Sequence, residues 1–371
     1  MSRARTLADQ FNSDGDLALT PVASVNAGQI GGRRNLIING AMTVAQRGTS
    51  GFTTNGAYTL DRHKVYVPAA SFTASQSTTS PADFLYSLKV ENTSVGTPSA
   101  AQGGNIFFPL EGNTVSQLNW GTSDAKTVTL SFYVRSNTTG TYCINLENST
   151  GTIGSGSHSY VAEYTINSAN TWERKQITIP GPTVGTWATN NTMSIVIGWT
   201  LETGSNLTTA TTDAWQSGTY RQTSNQAAWQ QTNGADFHLT GAQLELGSQA
   251  SDFEHRSYGE ELFLCKRYYQ YIGGDTAYQN ITTVTNFTGG VMVGPFSHEV
   301  ELRAVPSITK SGDWQVLGGN TTVGQTISAD QNGKKSVQIG FSDGSGGTSG
   351  YSATLRVAND SNFRLTFDAE L

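Results

Sequence analysis

Charged residues, cysteines and long apolar runs are all scarce in this chain. Asp, Glu, Lys and Arg make up 13% of its 371 residues, and two of the residues are cysteine. With no cluster of Lys and Arg and a formal net charge of −6, the chain lacks the basic surface that neutralises nucleic-acid phosphates. Two cysteines make no disulfide framework, so Cys143 and Cys265 are expected to be buried thiols.

Signals for membrane insertion and export are also missing. No apolar run approaches the roughly 18 residues of a membrane-spanning helix. The opening segment MSRARTLADQ has no hydrophobic signal core. The sequence therefore predicts a protein that is made and assembled in a cytoplasm and is not inserted into a membrane.

Small residues such as Gly, Ser, Thr and Asn make up much of the rest of the composition. Hydrophobic residues make up 36% of the chain, and Gly alone contributes 41 positions. Thr suits a pleated surface, whereas Gly and Asn accept the backbone angles of tight turns. Since aromatic residues at 10% argue against disorder, the composition predicts an all-β fold of many short strands.

Short alternating stretches bounded by turn formers recur between residues 35 and 254. The predicted strands are Phe84–Val90, Asn105–Leu110, Thr127–Arg135, Tyr142–Leu146, Tyr160–Ile166, Trp172–Ile179, Met193–Trp199 and Phe237–Leu246. The segment MSIVIGWTL is apolar on both faces and is predicted to be a central strand. In the last strand, the alternation shifts by one residue at Gly241, which predicts a β-bulge.

The polar interval from Thr203 to Gly234 has no strand signal. It contains Trp215, Tyr220 and Trp229, and loops of this length usually carry function or form a lid.

One helix is predicted, from Ser257 to Tyr271. Ser257 and Glu260 form a capping-box pattern at its start. Its apolar stripe, widened by Phe263 and Tyr268, consists of Tyr258, Leu262, Cys265 and Tyr269. A helix this short is marginal alone, so the stripe must pack either against its own domain or against other copies of the chain, and we favour copies around a threefold axis.

The two ends of the chain differ from each other. Beyond the helix, further strands are predicted at NITTVTNF, VMVGPFSHEVELR, Val305–Thr309, Lys335–Phe341, Ala353–Val357 and Phe363–Ala369. Residues 1–34 are too polar to bury a core. They are expected to form either a disordered tail or an arm that orders on a partner through Leu7, Phe11, Leu17 and Leu19.

Several segments carry a family resemblance. AQLELG, F-E-x-R-S-x-x-E-E-L and C-x-R-Y-Y, between residues 242 and 269, resemble a junction in bacteriophage tail-fibre and receptor-binding proteins. NLIINGAMTVAQRGTS and YTLDRHKVY resemble the opening strands of the same module, although His63 stands where that family usually has an aromatic residue. PFSHEVELRAVPSIT and FRLTFDAEL resemble its distal part.

This resemblance implies an elongated homotrimer built from four parts. They are a virion-docking arm (1–34), a jelly-roll β-sandwich similar to carbohydrate-binding modules (35–256), a helical neck (257–273) and a distal β domain (274–371). The implied function is a tail fibre in the virion, which adsorbs to a host glycan. A capsid-mounted fibre or decoration protein and a polysaccharide-degrading spike are the alternatives.

No catalytic or metal-binding motif supports an enzyme. The histidines are scattered, and no HExxH, GxSxG or phosphate-binding glycine loop occurs. Acidic residues such as Asp61, Glu111 and Asp236 are expected in salt bridges or at strand ends rather than as a catalytic pair. We expect no enzymatic activity and no cofactor, although similar sandwich modules include some with a structural calcium ion.

Aromatic residues in amide-rich surroundings are the candidate sugar contacts. Aromatic rings stack on the apolar faces of sugars, whose hydroxyls bond to Asn, Asp and Gln side chains. The candidates are Trp120, Trp187, Trp215, Tyr220 and Trp229. The alternative for each is a structural role, capping the core or lying in a subunit interface.

Overall fold

A computed structural model shows an all-β protein. It describes residues 24–25, 28–29, 33–274, 276–288, 291–312, 314–317, 321–322, 326–330, 332–342, 350–358 and 363–371. The predicted docking residues Leu7, Phe11, Leu17 and Leu19 lie outside these ranges. In the described part of the chain, no helix is long and apolar enough to cross a membrane.

The described helices are short. The α-helices are α1 (Gly112–Val115) and α2 (Tyr258–Lys266), and the 3₁₀ turns are Ser116–Leu118 and Ser205–Leu207.

The strands before α2 form a small hairpin and two larger sheets. They are β1 (Ser24–Val25), β2 (Gly28–Gln29), β3 (Ala57–Tyr58), β4 (Lys64–Tyr66), β5 (Ser71–Ser77), β6 (Ser87–Ser94), β7 (Asn105–Glu111), β8 (Val128–Ser136), β9 (Gly140–Asn148), β10 (His158–Ile166), β11 (Glu173–Ile179), β12 (Met193–Thr200), β13 (Trp215–Ser217) and β14 (Asp236–Leu246). The large sheet has the order β13-β10-β9-β12-β7-β4-β3, and the small sheet has the order β11-β8-β14-β6-β5.

These two sheets enclose one hydrophobic core. Phe132 of the small sheet and Ile144 of the large sheet have no exposed surface and belong to the same cluster. Their neighbours along each strand alternate between this core and the outer face, as the pleat requires. The arrangement is consistent with a jelly-roll sandwich.

Two predictions about individual strands are confirmed. Strand β12 pairs with β7 on one side and β9 on the other, and all its residues are buried. Strand β14 has a register shift between Thr240 and Gln243, where Gly241 has φ +60°. A central position and a bulge were the two features that the apolar pattern indicated.

Two short features were missed by the sequence analysis. Strand β13 lies in the interval predicted to have no strand and pairs with the start of β10. Strands β1 and β2 pair within residues 1–34, where no strand pattern was found. Strands of two or three residues are too short to show a period of two.

The strands after α2 form two further sheets. They are β15 (Tyr269–Ile272), β16 (Asn280–Thr288), β17 (Val291–Ser297), β18 (Ser307–Ser311), β19 (Trp314–Leu317), β20 (Thr321–Thr322), β21 (Thr326–Asp330), β22 (Ser336–Ser342), β23 (Ser352–Val357) and β24 (Arg364–Asp368). Their orders are β15-β24-β18 and β20-β19-β23-β16-β17-β22-β21. Leu365 packs in a cluster of this region, whereas Leu36 belongs to the cluster of the sandwich.

The predicted helix is correct at its start and wrong at its end. Ser257 Oγ accepts a hydrogen bond from Glu260 N at 3.3 Å, as an N-cap does. The helix ends at Lys266 instead of Tyr271, because Tyr269–Ile272 becomes β15 and pairs with β24. The main chain of Tyr269–Ile272 therefore forms hydrogen bonds with a strand almost a hundred residues later, instead of the hydrogen bonds of a longer helix.

Polar contacts tie the two clusters together around α2. Arg62, 1% exposed in its side chain, forms a salt bridge with Glu370, which is 4% exposed. Glu111 accepts hydrogen bonds from Arg267 Nε at 2.9 Å and from the Tyr268 hydroxyl at 2.8 Å. The junction that was predicted to be a helical neck is therefore crossed by ion pairs with buried carboxylates.

Both cysteines are buried and free, as predicted. Burial raises the pKa of Cys143 to about 11 and raises that of Cys265 well above its usual range. Both thiols therefore stay protonated at neutral pH.

Candidate functional site

The outer face of the large sheet carries polar side chains that are fully buried. Asn105, Asn145, Glu147 and Thr200 point away from the core, and none of them has exposed surface. They are covered because the polar interval after β12 folds across the sheet: Arg221 N donates to Leu207 O at 2.8 Å, and Thr200 Oγ1 donates to Arg221 O at 2.7 Å. That interval thus forms one wall of a site.

A carboxamide pair lies on this face beside a glycine. Asn105 Nδ2 donates to Asn145 Oδ1 at 3.2 Å and to Thr200 Oγ1 at 2.9 Å. Gly198 leaves the room for this contact, since a Cβ there would lie 2.2 Å from Asn145 Oδ1. Asn105 Oδ1 and Asn145 Nδ2 are buried and have no hydrogen-bond partner among the described residues.

Arg221 is the cationic centre of the outer face. Its side chain is 8% exposed, and Nη2 lies 3.2 Å from a carboxylate oxygen of Glu147. The guanidinium sits 4.9 Å from the centre of the Phe107 ring, a cation–π distance. Its Nε is buried without a partner in the described part of the chain.

A cavity of about 330 Å³ opens next to Arg221. It is lined by Gly56, Lys64, Tyr66, Ala101, Gly103, Phe107, Ile153 and Arg221. This volume is at the small end of the range of about 300–1,000 Å³ that ligand pockets occupy. We call this cavity the outer-face cavity.

Both of the charged side chains that line the outer-face cavity are cationic. Lys64 and Arg221 are its charged lining residues, and no carboxylate is among them. Burial lowers the pKa of Lys64, while the more distant Glu370 and Asp368 act in the opposite direction. The Lys64 ammonium lies 5.5 Å from the centre of the Tyr58 ring.

The lining combines aromatic rings with hydrogen-bond donors. Tyr66 provides half-buried apolar surface, Phe107 is buried beneath Arg221, and Arg221 and Lys64 provide N–H groups. A ligand with an apolar face and oxygen atoms at its edge, such as a pyranose ring, matches this combination.

Three of the predicted aromatic residues come together elsewhere. Trp120, Trp187 and Trp215 form a mutual edge-to-face cluster with ring centres 5.0 to 5.3 Å apart. Each indole N–H already donates to a backbone carbonyl, at 2.7 to 3.1 Å. Their polar atoms are therefore occupied, and the cluster packs against the sandwich core.

The other two aromatic candidates lie apart from that cluster. Trp229 has no exposed surface and belongs to the hydrophobic core, so it cannot stack on a ligand and that prediction is corrected. Tyr220 is half-buried, and its backbone N donates to Ser159 Oγ at 2.9 Å. It directly precedes Arg221 in the chain.

Part of the apolar stripe predicted for the helix is exposed to solvent, and part of it is buried. Tyr258 is 60% exposed and Leu262 is half-buried, and both line an open cleft of about 360 Å³. Cys265 is fully buried, and Tyr269 is 7% exposed under the Arg47 guanidinium, 3.7 Å away. The last two side chains are covered by their own chain and are not available to another copy.

The acidic residues considered above do lie in ion pairs. Glu111 pairs with Arg267, and Asp236 lies 3.6 Å from Arg135. Within the described residues, no group of three or more His, Cys, Asp and Glu side chains is arranged to hold a metal.

Sequence reasoning missed the residues of the outer-face cavity. Lys64 and Phe107 occupy paired positions on β4 and β7, and Arg221 comes from a distant loop. A signal was present in NIFFPLE and CINLEN, where Asn and Glu alternate with core residues in strands that have apolar neighbours. Only the position of the covering loop reveals which of these side chains meet.

Comparison with known proteins gives weak structural similarities. No protein-family model and no curated protein matches the chain. The enzymatically active domain of tailspike protein 4 from bacteriophage CBA120 is 12% identical, with a TM-score of 0.31, over 57% of this chain and 21% of that one.

Carbohydrate-binding modules give matches of the same strength. The CBM22-2 xylan-binding domain of Xyn10C from Paenibacillus barcinonensis is 13% identical, with a TM-score of 0.31, over 53% of this chain and 98% of that one. The CBM22-1-CBM22-2 tandem of the same protein is 11% identical, with a TM-score of 0.30, over 93% and 99%. These similarities are too weak to assign a ligand to this chain.

Proposed function

We propose that this protein is a fibre protein of a bacteriophage virion and that it binds a host-surface glycan in the outer-face cavity. The observation that carries the glycan-binding part is the cavity itself, where the Tyr66 ring and the two donors Lys64 and Arg221 converge. The fibre assignment rests on the resemblance of the segments at residues 35–66, 242–269 and 295–309 to tail-fibre proteins.

The proposed role is attachment without cleavage. No carboxylate lines the cavity, so neither a general acid nor a nucleophile is in place there. A tail position is favoured over a capsid position by the family resemblance alone, and cryo-microscopy of the particle distinguishes the two.

Assembly into a homotrimer is part of the proposal. Two large apolar side chains in one region are well exposed, Leu85 at 71% and Tyr258 at 60%. Two clefts, of about 360 and 670 Å³, meet there because they share Ala45 and Tyr258. We call this region the helix groove, and a second copy of the chain that covers it would bury its apolar surface.

Residues 1–34 are proposed to dock the trimer to the particle. Deletion of residues 2–30 is expected to leave a folded, glycan-binding oligomer that no longer incorporates into virions, as measured by immunoblotting purified particles. Unchanged incorporation would refute the docking role.

Blocking the mouth of the outer-face cavity tests the binding site. Ala101 is exposed and lines the cavity, so Ala101→Trp should fill it without changing the core. We expect at least a tenfold loss of affinity for host-surface polysaccharide, measured by calorimetric titration.

The matched control is Ala169→Trp, at an exposed turn after β10, which should bind like the unchanged protein. Equal affinities for all three proteins would show that the glycan does not bind in this cavity. Shortening of the polysaccharide during incubation would instead identify an enzyme.

A further inference from the structure

The cations of the outer-face cavity have few anionic partners. Arg221 is salt-bridged to Glu147 through Nη2, whereas its buried Nε has no partner among the described residues. Lys64 forms no salt bridge within the described part of the chain, because Glu370 and Asp368, which act on it from a distance, pair with Arg47 and Arg62 instead. Both cations line the cavity, whereas the carboxylates that act on them, Glu147, Glu370 and Asp368, do not.

Burial strengthens the effect of these cations on the choice of ligand. The Arg221 side chain is 8% exposed and sits above the Phe107 ring, so water screens its charge poorly. A neutral sugar would offer only hydroxyl oxygens to these donors. A negatively charged group would form N–H···O bonds in which donor and acceptor are both charged, so it gains an ion-pair attraction that a hydroxyl lacks.

Rigidity of the cavity wall adds to this selectivity. Gly103 lies so close to Arg221 that an added Cβ would be 2.7 Å from Nη1, and one at Gly154 would be 3.1 Å from Nη2. Gly154 N also donates to Glu147 at 2.9 Å. The guanidinium is therefore held from several sides in one position, so little ordering is needed when a ligand binds.

We infer that the outer-face cavity selects a sugar residue that carries an anionic group, with Lys64 as the main determinant of that selectivity and Arg221 as the fixed donor behind it. A carboxylated sugar such as a uronic or sialic acid is the class that fits, and a phosphorylated sugar shares the same chemistry. This inference rests on the proposed glycan-binding function and specifies its ligand.

Paired probes that differ in charge test the inference. The probes are sialyllactose against lactose, galacturonic-acid oligomers against their carboxyl-reduced forms, and mannose 6-phosphate against mannose. We expect one acidic member to bind at least tenfold more tightly than its neutral partner, with an affinity that falls as salt is raised. The pair that shows this preference separates carboxylated from phosphorylated ligands.

Substitutions at Lys64 assign the preference to this cavity. Lys64→Gln should abolish the preference for the acidic probe and Lys64→Arg should retain it, because the first removes the charge and the second keeps it. Lys335→Gln changes a side chain that is 79% exposed and should have no effect. Lys64 is used because it is half-buried and not held in a salt bridge, so that its replacement leaves the fold intact.

Three results overturn the inference. Equal or tighter binding of the neutral probes would show a neutral-glycan site and leave the proposed function standing. A preference that survives Lys64→Gln would place the selectivity elsewhere. Failure of every acidic probe would reject the anionic ligand, while the proposed function would still be judged by the binding of surface polysaccharide and by Ala101→Trp.

Discussion

His63 shows how one buried side chain can make stability depend on pH. Its ring is fully buried, 5.2 Å from the Phe108 ring, and Nδ1 lies 3.1 Å from Asp61 O. It therefore packs as an aromatic ring of the core does. Burial lowers the pKa of His63 to about 4, so the folded protein holds this ring neutral.

Acidification should destabilise the protein through His63. An unfolded chain protonates this histidine below about pH 6.5, whereas the folded protein does so only near pH 4. Unfolding thus takes up a proton between these values, and stability falls as the pH falls through that window. We expect His63→Phe to reduce the loss of stability between pH 6.5 and 4 by up to about 3 kcal/mol.

Urea unfolding of both proteins at several pH values measures this difference. Parallel pH profiles for His63→Phe and the unchanged protein would show that His63 titrates normally.

At the scale of single elements, the bulge in β14 has a specific steric cause. Gly241 has φ +60°, and a Cβ there would lie 2.8 Å from Phe84 Cζ and 2.9 Å from Tyr133 Cδ2. Only glycine meets both the backbone and the space requirement. The alternation on either side of Gly241 revealed the bulge, but the two rings that close on it could not be foreseen from local sequence.

Replacing Gly241 should therefore cost stability for two separable reasons. We expect Gly241→Ala to lower the free energy of unfolding by roughly 2–4 kcal/mol, from the left-handed backbone and from overpacking. Gly51→Ala is the matched control, since φ is +81° there but nothing lies within 4 Å of the added Cβ. It should lose only about 1–2 kcal/mol. Equal losses in urea titrations would mean that the rings move aside.

Helix α2 is short, and its exposed Tyr258 forms part of the helix groove together with Leu85. If copies of the chain cover this groove, Leu85→Lys should shift the protein toward monomers, because a charge would be buried in the interface. Leu85 is 71% exposed and lies outside α2, so the fold itself should persist.

Light scattering over a range of concentrations measures the outcome. Tyr351→Lys, at a site that is 71% exposed in the distal region, should leave the molar mass unchanged. A Leu85→Lys protein that keeps the mass of the unchanged protein would exclude this groove as the subunit contact.

At the scale of the whole molecule, buried charges hold the two hydrophobic clusters together. Arg62 pairs with Glu370, donates to Pro109 O at 2.6 Å and stacks 3.6 Å from the centre of the Tyr268 ring. A pair of this kind is strongly destabilising to break, because the remaining charge stays buried and uncompensated.

Breaking the Arg62–Glu370 pair should uncouple the clusters. We expect Arg62→Met and Glu370→Gln each to cost about 3–5 kcal/mol, and the double variant to cost less than the sum of the two. Scanning calorimetry should also show two transitions in place of one. Lys335→Met, which removes an exposed pair with Glu301, should cost at most about 1 kcal/mol. Additive losses would indicate that the two side chains act independently.

The sequence by itself determined the local features of this protein. Alternation with a period of two located most of the strands, and a segment that is apolar on both faces located the central position of β12. A one-residue shift in the alternation located the bulge at Gly241, and Ser257 located the start of α2. These features depend on the directions of neighbouring side chains, which local spacing sets.

Tertiary structure alone decided which distant residues meet. Lys64, Phe107 and Arg221 converge because β4 pairs with β7 and a later loop folds over both. Tyr269 left the predicted helix because β24 offered main-chain hydrogen bonds to a strand. Strand order and loop placement follow from burial summed over the whole chain, and no local pattern of residues encodes them.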